Sequence, residues 1–208
     1  MAKKRTTDKS GSAFDAIVLA AGSSTRFGDR KLLSQLNGKP LMMFALEAAV
    51  GSACRRTAVV VNNYVLAEMP VLPPAVEVVL NESALEGIGS SISCGVQSVA
   101  DSDAVLLLAA DQPLVTSRLI DSMLQSGSVH KKSIIAASFR GMIRNPVMFP
   151  RMYYPELIAL HEDRGARIVA ERHAGNIIKV ELDDEEQLID VDTPADLERV
   201  RRIMSDRG

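Results

Sequence analysis

The sequence predicts an α/β three-layer sandwich, a mainly parallel sheet held between two layers of helices. Two observations carry that prediction. Apolar runs of strand length alternate with longer, helix-like segments along the chain. The runs themselves, such as AVLLLAA at residues 104–110, lack polar alternation, so both faces of the sheet must be covered. With 208 residues the chain is long enough to bury one sizeable core.

The first strand is read at residues 15–21 (DAIVLAA) and the second at 57–62 (TAVVVN), both bounded by turn signals. Residues 76–80 (VEVVL), 104–110 and 133–139 (SIIAASF) continue the series. Helices fall between them at 40–53, 88–100 and 116–126. Pro40 fits a first helical position, where its missing N–H is no loss, and Thr116 fits an N-cap. Residues 144–149 (RNPVMF) read as a strand whose proline places it near an edge or at its start. A helix at 165–173, a strand at 177–182 and a last helix at 194–205, opened by Thr193-Pro194, complete the series. No internal repeat or low-complexity linker interrupts it. Residues 1–13 read as a disordered leader and 14–208 as a single domain.

Composition narrows the function classes. Twenty-four Lys and Arg against 26 Asp and Glu leave a net charge of −2, so no overall basic field gathers nucleic acid. Cys54 and Cys94 form no CxxC pair, which disfavours a disulfide framework or zinc knuckle and fits a reducing compartment. No apolar stretch approaches membrane-spanning length, and the start, MAKKRTTDKSGS, lacks the apolar segment of a signal peptide. The expected location is the cytoplasm, with no nucleic-acid or membrane partner.

Ligands of parallel α/β sheets bind at the carboxyl ends of the strands. The first strand ends at Ala20, Ala21 and Gly22, followed by Ser23, Ser24 and Thr25 and by the cations Arg26, Arg30 and Lys31. Glycine lets backbone approach a ligand, successive N–H groups can form an anion nest, and Arg and Lys pair with phosphate. This is no Walker A loop, because five residues separate Gly22 from Gly28 and Asp29-Arg30 precedes the lysine. A dinucleotide G-x-G-x-x-G is absent too. On residues alone the loop is equally a polyphosphate site or an exposed basic turn.

Asp111 follows the apolar run at 104–110, at a strand end that would share the crevice with this loop. It suits Mg²⁺, which takes one or two carboxylates plus substrate phosphates, and it equally suits a cap. In LIDVDTPADL, Asp190 and Asp192 alternate as they would along one side of a strand, whereas Asp192 or Thr193 also fits an N-cap with Asp196 in the first turn. NESALEGIGSS, residues 81–91, places Gly87 and Gly89 at a helix start with Ser90 and Ser91 in its first turn. The three histidines, His130, His161 and His173, lack metal-ligand spacing, and Cys94 fits core packing.

LAAGSSTRFGDRKLL, residues 19–33, resembles the signature L-A-A-G-x-S-x-R-(F/M)-G-x-x-K of the MobA-like nucleotidyltransferases, most of all the molybdenum cofactor cytidylyltransferases. The resemblance implies a Rossmann-like sandwich of the nucleotide-diphospho-sugar transferase type. It implies that Leu19, Ala20, Ala21, Gly22, Ser23 and Ser24 wrap the nucleotide, with Arg26 and Lys31 on the triphosphate. DQPLVT is similar to the superfamily's metal-binding D-x-P, which makes Asp111 a ligand of Mg²⁺. LIDVDTPADL resembles D-(I/V)-D-T-P-x-D-(L/F), which implies Asp192 as second ligand, ahead of Asp190. By the same resemblance Asn81, Gly87 and Ser91 flank the base, and Ala20-Ala21 in place of Gly-Gly points to CTP rather than GTP. RGMIRNPVMFP resembles the acceptor segment G-x-x-(G/R)-x-P-(V/I)-L-F, with Arg144-Asn145-Pro146 replacing the usual Gly-His-Pro. LHEDRGARIV resembles L-x-G-D-x-G-A-R, with Glu162 in place of its glycine. Asn145, Pro146 and Arg167 thereby become acceptor candidates, while Arg164 fits a solvated helix charge. Arg26, Lys31 and Asp111 would carry catalysis. The implied reaction moves CMP from CTP to the terminal phosphate of molybdopterin and releases pyrophosphate, ahead of use by a molybdenum hydroxylase. A cytidylyl- or guanylyltransferase acting on another phosphorylated acceptor, and a non-catalytic protein that binds and delivers the cofactor, are the alternatives.

Overall fold

A computed structural model describes residues 13–22 and 31–206. Residues 1–12 of the expected leader and the segment from Ser23 through Ser24, Thr25 and Arg26 to Arg30 therefore lie outside the described residues. Within them, seven strands form one sheet: β1 (Phe14–Ala20), β4 (Thr57–Val61), β5 (Val76–Leu80), β6 (Ala104–Ala109), β7 (Ile134–Phe139), β8 (Met142–Pro150) and β9 (Ile177–Glu181). Their order is β5-β4-β1-β6-β8-β7-β9. All neighbours are parallel except β8, which runs antiparallel to both β6 and β7. The α/β sandwich expected from the unalternated apolar runs is what the chain forms.

Helices cover both faces. α1 (Met42–Val50) and α4 (Ser117–Val129) pack on one face against Ala16, Val18, Leu106 and Leu108. α3 (Ile88–Ser98), α5 (Tyr154–Ile158) and α6 (Arg167–Arg172) cover the other against Ile17, Val105 and Leu107. Consecutive residues of β1 and β6 thus enter opposite cores, as the two-residue period of a strand dictates. α7 (Pro194–Asp206) closes a third, smaller core in which Leu197 and Val200 meet Leu36 and Leu41. Thr116 caps α4 by accepting from the Leu119 N–H. No helix among the described residues is long and apolar enough to cross a membrane.

Four local expectations need correction. Pro40 does not open a helix. It ends a two-stranded hairpin, β2 (Gln35–Leu36) with β3 (Lys39–Pro40), and pairs with Gln35 before α1 begins at Met42. The turn of that hairpin is Asn37-Gly38, with φ of 50° and 78°. β8 is neither an edge strand nor opened by its proline, because it lies between β6 and β7. Its register with β7 shifts between Ala136 and Ala137, and Asn145 and the cis-linked Pro146 fall in that irregularity, beyond the last β6 partner Val147. The proline therefore costs the ladder no hydrogen bond. Asp190 and Asp192 lie on irregular chain rather than a strand. Two short helices, α2 (Asn63–Glu68) and α5, fill segments with no helical expectation.

A charged cluster ties the amino ends of the strands together, far from the carboxyl ends. Asp15 on β1 is fully buried and accepts from Arg55 at 2.9 and 2.7 Å and from Arg56 at 2.6 Å. Both arginines also pair with Asp101, next to the turn before β6.

Candidate active site

The carboxyl ends of β1 and β6 converge on one group of charges. The Ala110 N–H donates to the Leu19 carbonyl at 3.2 Å, which continues the β1–β6 pairing to the start of Asp111. The Asp111 carbonyl in turn accepts from the Val191 N–H at 2.9 Å, which draws the segment around Asp192 onto the end of β6. α7 fixes the rest of that segment. Thr193 Oγ1 accepts from the Asp196 N–H at 3.2 Å, and Asp196 Oδ2 accepts from the Thr193 N–H at 2.8 Å. This reciprocal capping box employs Thr193 and Asp196 and leaves the Asp192 carboxylate free of capping duty.

Lys31 completes the group from the opposite side. Its side chain is only 9% exposed, and Nζ donates to Asp111 Oδ2 at 2.7 Å and to Asp192 Oδ1 at 2.8 Å. Burial opposes its charge, yet the two carboxylates outweigh burial and hold its pKa above the ordinary lysine value. Asp190 stands beside them. Desolvation of its carboxyl, and then the charges of Asp111 and Asp192, push its pKa up to about 6. Two carboxylates within one ammonium's reach form a donor set that suits a hard divalent cation. Among the described residues no three His, Cys, Asp or Glu side chains form a ready-made metal cage. A cation here would therefore draw further oxygens from water or a substrate, the habit of Mg²⁺.

A cleft of about 420 Å³ opens from Asp111. Leu19, Ala21 and Gly22 border it at the end of β1, Gly87 and Ser91 at the start of α3, Asn145 from β8 and Arg167 from α6. The remaining expected residues sit elsewhere. Ala20 is fully buried in the core on the other face of the sheet. Asn81 is buried behind Ser90 and Ser91, to which its amide donates at 2.9 and 3.0 Å. Pro146 sits in the β8 irregularity next to Asn145. Of the residues that border the cleft, Arg167 lies at the rim, 81% exposed and paired with Glu171 at 2.7 Å. Arg164 faces a separate small depression beside Leu160 and His161. Cys94 donates to the Leu80 carbonyl at 3.6 Å, and burial raises its pKa, so nothing activates it as a nucleophile.

Gly87 and Gly89 serve a purpose other than presenting free N–H groups. The Gly89 N–H donates to the Glu162 carbonyl at 3.0 Å. A Cβ on Gly87, whose φ is 103°, would lie 2.4 Å from Glu162 backbone. The two segments close one end of the cleft by backbone contact, which only glycine permits. Asn62 does comparable work on the facing wall, donating to the Ala21 carbonyl at 3.1 Å while it caps α2. Asn62, Leu85 and Ile88 shape the cleft without being singled out by any motif position, and Asp163, the Asp of the L-x-G-D-x-G-A-R segment, borders it too.

Comparison with known proteins places the chain among nucleotide-using enzymes. The sequence model of one family, the MobA-like NTP transferase domain, matches residues 16–177. The purine catabolism protein PucB of Bacillus subtilis (strain 168) is 28% identical over 200 residues, which span 91% of this chain and 96% of PucB. Rv0371C of Mycobacterium tuberculosis H37Rv, solved in complex with manganese, superposes with a TM-score of 0.72 at 22% identity over 92% of this chain and 99% of its own. The molybdopterin-guanine dinucleotide biosynthesis protein A of Archaeoglobus fulgidus superposes with a TM-score of 0.70 at 17% identity over 92% and 99%.

Proposed function

Because the chain belongs to the MobA-like NTP transferase family, we propose that it transfers CMP from CTP to the terminal phosphate of molybdopterin, with release of pyrophosphate. The observation that carries this reading is the Lys31 ammonium held between Asp111 and Asp192 at the mouth of the cleft. Cations and carboxylates so arranged suit a polyphosphate and its metal ion. They do not suit acyl transfer, which needs an activated nucleophile and a base.

The chemistry needs little from the protein except placement. A phosphate monoester has a second pKa of about 6, so the acceptor is already largely dianionic at neutral pH and requires no general base. One of its oxygens attacks the α-phosphorus in line, the bond from that phosphorus to the bridging oxygen breaks, and pyrophosphate leaves. Lys31, joined by Arg26 from the sequence motif, neutralises the triphosphate and the charge that develops on the leaving group. Asn145, on the β8 wall, and Arg167, at the rim, hold the acceptor. Asp111 and Asp192 would hold Mg²⁺, which when bound supplies Lewis-acid stabilisation of phosphoryl oxygens. A relative from M. tuberculosis solved with manganese supports use of a divalent ion, and a relative from A. fulgidus named for molybdopterin-guanine dinucleotide biosynthesis supports a molybdopterin acceptor.

Cytidine is favoured by the motif resemblance, in which Ala20-Ala21 stands ahead of Gly22 in place of the Gly-Gly usual in relatives that use GTP. A different phosphorylated acceptor is the second reading, favoured by Arg144-Asn145-Pro146 on the wall that would meet the acceptor. Pyrophosphate release tests both. The expected result is release from CTP that depends on Mg²⁺ and on molybdopterin. Release with another phosphorylated acceptor alone would move the assignment to the second reading. No release with any acceptor, despite cofactor binding, would leave a delivery protein for a molybdenum hydroxylase.

A further inference from the structure

We propose that the outer edge of β5 is the docking surface for a second copy of this chain, joined by antiparallel strand pairing about a two-fold axis at Val78. The proposal is independent of what the cleft binds.

β5 ends the sheet, and among the described residues no strand pairs with its outer edge. Residues along a strand turn their N–H and C=O groups alternately toward one neighbour and the other. The Asn81 N–H donates to the Val61 carbonyl on β4 at 2.8 Å, so Val79 and Glu77 face β4 as well. Val76, Val78 and Leu80 therefore direct their backbone groups outward. The Val76 N–H is spent on the Pro73 carbonyl at 2.9 Å, and the Leu80 carbonyl accepts from the Cys94 thiol. Among the described residues the edge is left with the N–H and C=O of Val78, the N–H of Leu80 and the C=O of Val76. That set is self-complementary. Against an antiparallel copy the two Val78 residues exchange both bonds, and each Leu80 N–H meets the other copy's Val76 carbonyl. An axis at Glu77 would set two carboxylates directly opposite each other, whereas an axis at Val78 sets Glu77 opposite Val79.

The side chains agree with the backbone. Val78 is 39% exposed and stands on the same sheet face as Val76, which packs against the core. α2 and the connection after it cover that face through Val65, Met69 and Leu72, and there Leu66 and the 96% exposed Val71 add apolar surface. The opposite edge of the sheet is guarded. β9 carries Lys179 and Glu181, fastened to the Gly141 carbonyl and the Ser138 hydroxyl, in the way natural edges block pairing. β5 carries a single charge, Glu77, and neither a proline nor a bulge. A net charge of −2 sets little repulsion between two copies. Two-fold pairing, the commonest closed association of like chains, satisfies all the outward groups with one surface.

Analytical ultracentrifugation over a dilution series tests this. Wild-type protein should sediment with twice the mass of one chain and dissociate on dilution. Val78→Lys and Val78→Glu each set like charges across the axis, so each by itself should be a monomer with an unchanged circular dichroism spectrum. An equal mixture of the two should regain the dimer, because opposite charges then meet. Amide hydrogen exchange gives a readout that needs no substitution. The Val78 and Leu80 amides should be protected in the dimer and exchange freely in the diluted monomer, while Val79 stays protected in both. Wild-type protein that is monomeric at every concentration would overturn the proposal and leave the edge to a strand of another protein. A dimer that survives both charged variants, or one whose Val78 and Leu80 amides exchange as in the monomer, would overturn it by moving the contact to another face.

Discussion

Lys31 Nζ donates to Asp111 Oδ2 over 2.7 Å, across 80 residues of sequence. The same ammonium reaches Asp192 at 2.8 Å, so one cation ties the short turn that carries it to the end of β6 and the approach to α7. Asp111 is the central member, since its carbonyl also anchors Val191. Asp111→Asn removes the charge but keeps the shape and that backbone contact. Its side chain is 24% exposed, so Lys31 can rehydrate and the fold should survive. Pyrophosphate release from CTP should fall by about 10²-fold or more, as for loss of a group that stabilises transition-state charge. Turnover near the wild-type rate would remove Asp111 from the reaction centre.

Lys31→Met separates two consequences that a purely structural lysine would not. The ammonium occupies the space between the carboxylates where a divalent ion would bind, so its removal should tighten binding of Mn²⁺ alone. Catalysis should move the other way and fall by about 10²-fold, because the triphosphate loses its compact counter-charge. Calorimetry with Mn²⁺ and a pyrophosphate assay together check this. A variant in which metal affinity drops with activity would contradict the shared position.

How much of this was legible in the sequence depends on the range of the interaction. AVLLLAA showed a doubly covered strand because burial leaves its mark on every residue. Lys31, Asp111 and Asp192 stood out by motif, but only the tertiary fold brings the two carboxylates within 3 Å of the ammonium. Pro40 was misleading because a proline suits both a first helical turn and a strand end. Asn37-Gly38, a two-residue hairpin signal, was the better guide to that segment. The central place of β8 was hidden, since the irregularity that excuses Pro146 is a property of the pairing with β7. Asn62 read as the last residue of a strand and Asn81 as a base-flanking residue by resemblance, and what their amides face emerges only from the fold.

Gly87 and Gly165 both border the cleft, yet substitution should separate them sharply. A Cβ on Gly87 would lie 2.4 Å from Glu162 backbone and sits at a φ of 103°, whereas a Cβ on Gly165 meets only an Ile88 methyl at 3.9 Å. Gly87→Ala should cost about 1–3 kcal/mol in stability and loosen CTP, because it drives two walls of the cleft apart. Gly165→Ala should change neither by much. Thermal unfolding and nucleotide titration measure both, and equal behaviour of the two variants would refute the backbone clasp.

Asp15 gives a prediction about stability at acid pH, away from the cleft. Burial by itself would raise its pKa, but hydrogen bonds from Arg55 and Arg56, and their charges, hold it below the ordinary carboxylate value. A folded pKa below the unfolded one, about 3.9, means the folded state resists protonation. The resulting stability is complete above that unfolded value and disappears as pH falls through the folded one. Asp15→Asn should therefore cost about 3 kcal/mol at pH 7, the lower end for a broken buried pair, since both arginines reach solvent. The gap between wild type and variant should hold from pH 7 to about pH 5 and narrow as pH drops below about 4. Urea unfolding across that range checks the sign, because a gap that widened in acid would mean the carboxyl is protonated more readily in the folded protein than in the unfolded chain.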